Sequence, residues 1–64
     1  MPHRFDCLAK YIDAEELSRY TTLFFEKNMN EEFWQLFWKF EAIAFEHRDE
    51  MLIHHPNYLF TAFE

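Results

Sequence analysis

Glycine is absent from this 64-residue sequence, and so is valine. Without glycine the chain has neither a P-loop nor a dinucleotide-binding fingerprint, because both need backbone amides that approach a phosphate with no Cβ in the way. The turns of two-residue β-hairpins favour Asn-Gly or Asp-Gly pairs, and none occurs here. The lack of valine, the residue most typical of strands together with isoleucine, further favours an all-α fold over a sheet.

The sequence also has little cysteine and no long apolar run. Cys7 has no second cysteine with which to form an internal disulfide, which favours a cytoplasmic location. Apolar runs such as residues 42–45 are short, whereas a membrane-spanning helix needs about twenty residues. The first residues lack the apolar segment of a secretory signal peptide. We therefore expect a protein that does not associate with membranes.

Aromatic side chains are abundant instead: they make up 22% of the residues, and nine of them are Phe. A domain of this size buries only about 60% of the surface of its unfolded chain, so it is marginally stable without a disulfide, a bound metal or a partner chain. We expect a single domain over residues 1–64. Dense aromatic packing, association with another chain, or both would stabilise it.

A first helix is predicted over residues 13–27. Asp13 is a typical N-cap, and Glu16 follows three residues later, as in a capping box. At the other end Asn28 is suited to the left-handed conformation that commonly terminates a helix.

A second, longer helix is predicted to begin after the N-cap Asn30. No proline interrupts the chain before Pro56, so the helix spans residues 31–54 and would be about 36 Å long. A compact monomer of this size has a diameter near about 28 Å, and a straight helix would project beyond it. We expect the helix to bend near the charged residues 46–50, or a second chain to cover the projecting part.

The ends of the sequence give weaker signals. Residues 2–12 fit a helix or a strand, and we prefer the helix because a lone strand would need a partner edge. Residues 57–63 fit a short closing helix, with Tyr58, Leu59 and Phe63 facing inward. The predicted architecture is a small all-α hairpin or bundle around one long central helix, completed by dimerisation or by a partner.

The central helix is apolar around most of its circumference. One stripe has Leu36 and Ile43 on its flank and contains Phe33, Phe37, Phe40, Ala44 and Met51. A second stripe lies about 100° away and contains Trp34, Trp38, Phe45 and Leu52. The combined arc covers about 220° in the first half of the helix, whereas a surface helix with one partner needs little more than about 100°.

This excess of apolar surface leads to the main functional hypothesis. We interpret the protein as a small acidic module that binds and modulates another protein, as a regulator, an inhibitor or an adaptor. A second copy of the chain is the other possible partner, since a two-fold pair of long helices forms a four-helix or larger bundle. Aromatic residues are enriched at interface cores, and the predicted contact residues are Trp34, Phe37, Trp38, Phe45 and Leu52. A monomer that buries both stripes is the simpler interpretation.

A self-assembling bundle with a metal site is the second hypothesis. His47, Glu50 and His54 are spaced so that they lie near one face of a helix. A His-Glu-His set can bind zinc, and in a dimer the two-fold axis would complete the site. Histidines near a helix end are more commonly structural. We therefore assign no metal and no other cofactor.

An acidic mimic of nucleic acid is the third hypothesis. The formal charge is −6, and most of it lies in the second half of the chain. Such a surface competes with nucleic acid for a basic site, and its carboxylates would be Glu31, Glu32, Glu41, Glu46, Asp49 and Glu50. Direct nucleic-acid binding is disfavoured because only six basic residues are present and they are scattered.

Catalysis is not expected. The sequence contains no nucleophile with a convincing neighbouring base. Without glycine it also lacks the loops that hold phosphorylated substrates and cofactors. We therefore expect a binding protein and not an enzyme.

Overall fold

The computed structural model describes residues 4–60. The chain forms a 3₁₀ helix over Asp6–Tyr11, α1 over Ala14–Phe25, α2 over Glu31–Glu46 and α3 over Arg48–His54. The described residues contain no strand, so the all-α class predicted from the composition is confirmed. No helix within this range is both long and apolar enough to cross a membrane.

Two side-chain caps start α1 and α2. The carboxylate of Asp13 accepts hydrogen bonds from the backbone amides of Glu15 and Glu16, at 2.9 and 3.1 Å. The side chain of Asn30 accepts one from the amide of Phe33 at 2.9 Å. The caps satisfy amides that have no partner within the helix. Both predicted helix starts are therefore confirmed.

The end of α1 is a Schellman motif built without glycine. The amide of Asn28 donates to the carbonyl of Leu23 at 2.9 Å, and the amide of Lys27 donates to the carbonyl of Phe24 at 3.1 Å. Lys27 is the residue with positive φ, at 57°. The prediction that Asn28 takes the left-handed conformation is wrong by one residue, because α1 ends earlier than expected.

The long helix predicted after Asn30 breaks at His47. This residue has φ −111° and ψ 40°, outside the helical region, although its amide still donates to the carbonyl of Ile43 at 3.0 Å. The bend predicted near residues 46–50 is thus confirmed. Beyond the break, Met51 of α3 is fully buried in the core.

The core lies between the 3₁₀ helix, α1 and one face of α2. Its aromatic rings meet edge to face or offset; Phe5 and Phe40 lie 5.5 Å apart, and Tyr20 and Phe33 lie 4.8 Å apart between centroids. Of the two apolar stripes, the one that contains Phe33, Phe40 and Ala44 supplies much of this core. The buried residues are Phe5, Leu8, Ile12, Tyr20, Leu23, Phe33, Leu36, Phe40, Ala44 and Met51.

The segment after α3 follows the surface of α2 without forming a helix. Residues 57–60 are irregular, so the predicted closing helix is wrong for them, and its remaining residues, including Phe63, lie outside the described range. Leu59 is 71% exposed instead of facing inward. Tyr58 is half-buried, and Phe60 contacts Phe45 with a centroid distance of 5.9 Å. A few residues after Pro56 are too short for a stable helix, and side-chain contacts with α2 hold them instead.

Candidate protein-interaction surface

Trp34 and Trp38 lie one turn apart on α2 and are 43% and 54% exposed. The half-buried ring of Phe37 lies between them. It contacts both indoles edge to face, with centroid distances of 5.3 Å to Trp34 and 5.1 Å to Trp38. Phe37 also contacts the fully buried Phe5 at 6.4 Å. Both tryptophans therefore reach the core through Phe37, and Trp34 also contacts the buried ring of Phe33 at 5.1 Å.

These tryptophans belong to a row that follows one side of α2 from end to end. Glu31 stands exposed in its first turn, Ala42 is exposed one turn after Trp38, and Phe45 is half-buried near the end. The spacing of three or four residues between neighbours places them on one side of the helix. We call this row the tryptophan face: Glu31, Trp34, Trp38, Ala42 and Phe45.

Phe45 lies in this row but is partly covered, and Leu52 lies outside it. The ring of Phe45 is partly covered by Phe60 and by the guanidinium of Arg48, which lies 4.8 Å from its centroid. Leu52 is 37% exposed, but it lies on α3 beyond the break at His47 and does not continue the helical row of α2. Of the five predicted contact residues, the structure brings Trp34, Phe37 and Trp38 together.

A buried carboxylate lies beside this face, at Glu41. It is 3% exposed, and its Oε1 accepts a hydrogen bond from Nη2 of Arg4 at 2.7 Å and another from the hydroxyl of Tyr58. The guanidinium of Arg4 also lies over the rings of Phe37 and Tyr58, at 5.1 and 5.2 Å. Burial and the hydrogen bond to Glu41 raise the pKa of Tyr58.

The sequence hypothesis that placed Glu41 on an acidic surface is wrong. Two more of its six carboxylates are engaged within the chain: Glu32 pairs with Arg19 at 2.9 Å, and Glu50 pairs with Lys10 at 3.0 Å. The hydrogen bond from Tyr11 and the contact with Lys10 lower the pKa of Glu50. Only half of the proposed set therefore remains available as an acidic surface.

His47, at the helix break, contacts the 3₁₀ helix. The ring of His47 is stacked on that of Tyr11, and the hydroxyl of Tyr11 donates a hydrogen bond to Glu50. Among the described residues, no group of three or more His, Cys, Asp or Glu side chains is placed to hold a metal ion. The set His47, Glu50 and His54 is thus not assembled as a metal site.

Other exposed apolar side chains were not expected from the sequence. Phe25 is 66% exposed at the end of α1, and Ile53 is 75% exposed on α3. Phe25 contacts Phe24, which is itself 38% exposed, with a centroid distance of 5.8 Å. The tryptophan face differs because its two largest side chains are indoles and both contact the ring of Phe37.

Comparison with protein-family models, with curated proteins and with solved structures gives no match for this chain.

Proposed function

We propose that the protein is a small acidic interaction module that binds another protein through the tryptophan face and modulates it, as a regulator, an inhibitor or an adaptor. One observation carries the proposal: Trp34 and Trp38 stay 43% and 54% exposed on a helix whose opposite face is buried in the core. The proposed activity is binding and not catalysis. A cytoplasmic setting fits a chain whose one cysteine is Cys7.

Tryptophan is among the residues that most often dominate the binding energy of an interface. Each indole offers a large apolar area together with an N–H donor. Phe37 already fixes both rings against the core, so a partner would immobilise few additional torsions on binding. An exposed but rigid aromatic pair supports a binding role better than a flexible one would.

The charge of the chain supports a protein partner. Four of its six basic residues form ion pairs within the fold, namely Arg4, Lys10, Arg19 and Lys39. These pairs use four carboxylates as well, so the formal charge stays at −6, and this acidic surplus favours rapid encounter with a basic surface. The nucleic-acid mimic is the weaker hypothesis, because Glu32, Glu41 and Glu50 are engaged in internal contacts.

The test is capture of a protein from a lysate by the tagged chain and by a Trp34→Ala/Trp38→Ala variant, with circular dichroism to check that the variant is folded. We expect capture to be lost, because the variant removes both indoles and leaves the buried core intact. Phe25→Ala is the matched control, since it removes an aromatic ring that is 66% exposed on α1. Capture that survives the double substitution in a folded protein would refute the assignment of this face.

A further inference from the structure

We propose that the tryptophan face is self-complementary and accepts a second copy of the chain, so that two α2 helices pack antiparallel about a two-fold axis at Trp38. The inference rests on the proposed function in one respect: it takes the tryptophan face as a protein-binding surface. It adds a specific occupant and a specific register. Both follow from the order of side chains along α2.

The register follows from the position of Trp38 in its helix. α2 spans Glu31–Glu46, so Trp38 lies at its midpoint. Glu31 precedes Trp38 by seven residues and Phe45 follows it by seven, which is the heptad spacing of packed helices. Antiparallel helices that cross at Trp38 therefore overlap along the whole of α2. Each Glu31 then faces Phe45 of the other copy, whose ring is partly covered by Phe60 and Arg48.

The same register matches large side chains with a small one. Trp34 lies four residues before Trp38, and Ala42 lies four residues after it. In the antiparallel pair each Trp34 therefore faces Ala42 of the other copy. The exposed methyl group of Ala42 leaves room for an indole, and alternation of large and small residues lets facing helices approach closely.

The charges at the two ends of the face are also complementary. Arg48 is exposed beside Phe45; its guanidinium lies over that ring at 4.8 Å, and Nη1 donates to the carbonyl of Phe45 at 3.0 Å. Glu31 is exposed at the opposite end and accepts a long 3.4 Å hydrogen bond from Gln35. Because each Glu31 faces Phe45 of the other copy, it comes close to Arg48 there. The two-fold axis generates a second, equivalent contact between Glu31 and Arg48.

A self-associated pair and a complex with another protein would use the same tryptophans, so the two states exclude each other. Binding of a partner would then require the pair to dissociate. The acidic surplus of each copy opposes pairing at low ionic strength. The pair is therefore expected to be reversible and concentration-dependent.

The test is sedimentation equilibrium of the purified chain over a range of concentrations up to about 1 mM. We expect a monomer–dimer equilibrium. Glu31→Arg and Arg48→Glu should each raise the dimer Kd about tenfold, because each turns two attractive contacts into repulsive ones. The double variant Glu31→Arg/Arg48→Glu should restore the wild-type Kd, because it exchanges the two charges.

Glu15→Arg is the matched control for Glu31→Arg, since both reverse an exposed carboxylate in the first turn of a helix. Both substitutions also reduce the net negative charge of the chain by the same amount. If overall repulsion alone governs association, both variants should dimerise more tightly than the wild type. Weakening by Glu31→Arg alone is the result that supports the proposed register.

Ala42→Trp gives a second and independent test, because it fills the space that Trp34 of the other copy would occupy. We expect this variant to remain helical and to sediment as a monomer. A wild-type chain that is monomeric at every concentration overturns the inference, and so does a dimer that is insensitive to both the charge reversals and Ala42→Trp. Loss of partner capture in the tryptophan variant would still support the proposed function in either case, so the two failures are distinguishable.

Discussion

The imidazole of His47 lies flat against the ring of Tyr11, with 3.6 Å between the centroids and 3° between the planes. His47 is the residue at which α2 ends and α3 begins, and Tyr11 ends the 3₁₀ helix. The stack therefore joins the helix break to the first element of the chain. It helps to hold α3 in place, which with seven residues is too short to be stable alone.

Replacing Tyr11 by alanine should lower the free energy of unfolding, because it removes the ring that is stacked on His47. Tyr11→Phe is the control: it keeps the stack and removes only the hydrogen bond to the carboxylate of Glu50. Urea denaturation of both variants is the measurement. Equal losses in the two variants would assign the effect to the hydroxyl and not to the stack.

Replacing Arg4 by methionine should also destabilise the protein, by about 1–2 kcal/mol. The substitution leaves the buried carboxylate of Glu41 without its guanidinium donor. The Arg4 side chain is 40% exposed, so the loss is smaller than for a fully buried pair. In Arg19→Met the broken ion pair with Glu32 is exposed on both sides, so this variant should lose much less stability than Arg4→Met. Similar losses of stability in the two variants would mean that the burial of Glu41 does not increase the cost of removing its partner Arg4.

Lys27→Gly should stabilise the fold by about 0.5–1 kcal/mol. Lys27 has φ 57°, where a side chain with a Cβ is strained and glycine is not. Lys27→Ala removes the same charge but keeps the Cβ, so it should give no such gain. Thermal unfolding of the three proteins separates the two effects, and a gain shared by both variants would point to charge instead of backbone strain.

The stability of the protein should fall as the pH rises above about 10. Burial raises the pKa of Tyr20 to about 12, while in the unfolded chain it is near 10. The unfolded state therefore loses this proton first. The stabilisation is fully present below about pH 10 and is lost as the pH rises towards 12. The pKa of Tyr58 is raised as well, so it acts in the same direction.

Urea midpoints measured between about pH 9 and about pH 11 check this expectation. Tyr20→Phe has no phenol to ionise at that position, and its stability should decline less over this range. Tyr58→Phe should show a similar but separate reduction of the slope. A decline that is unchanged in both variants would contradict the assignment to these two phenols.

Much of the helical framework could be predicted because its causes are local. The caps at Asp13 and Asn30 depend on side chains within three residues of the amides that they bind. The break near His47 followed from the length of a straight helix relative to the size of the domain. The conformation of the segment after Pro56 could not be predicted in this way, because it depends on contacts with α2 instead of on local sequence preference.

Part of the candidate surface could also be predicted, because it depends on the local periodicity of one helix. Helical periodicity separates Trp34 and Trp38 from the core-facing residues, and their exposure agrees with that separation. Periodicity gives no information about chain segments that return to a helix from far away in sequence. Phe45 is partly covered by Phe60. Glu41, which reads as one more surface carboxylate, is buried by Arg4 and Tyr58.

Arg4 and Tyr58 donate to the same oxygen, Oε1 of Glu41, although almost the whole described chain separates them. If either segment leaves α2, the carboxylate of Glu41 loses one of its two donors. The contacts that hold the other segment on α2 are then weaker, so local unfolding of one segment favours local unfolding of the other. Amide hydrogens of the two segments should exchange as one cooperative unit, and a deletion at one end should loosen both.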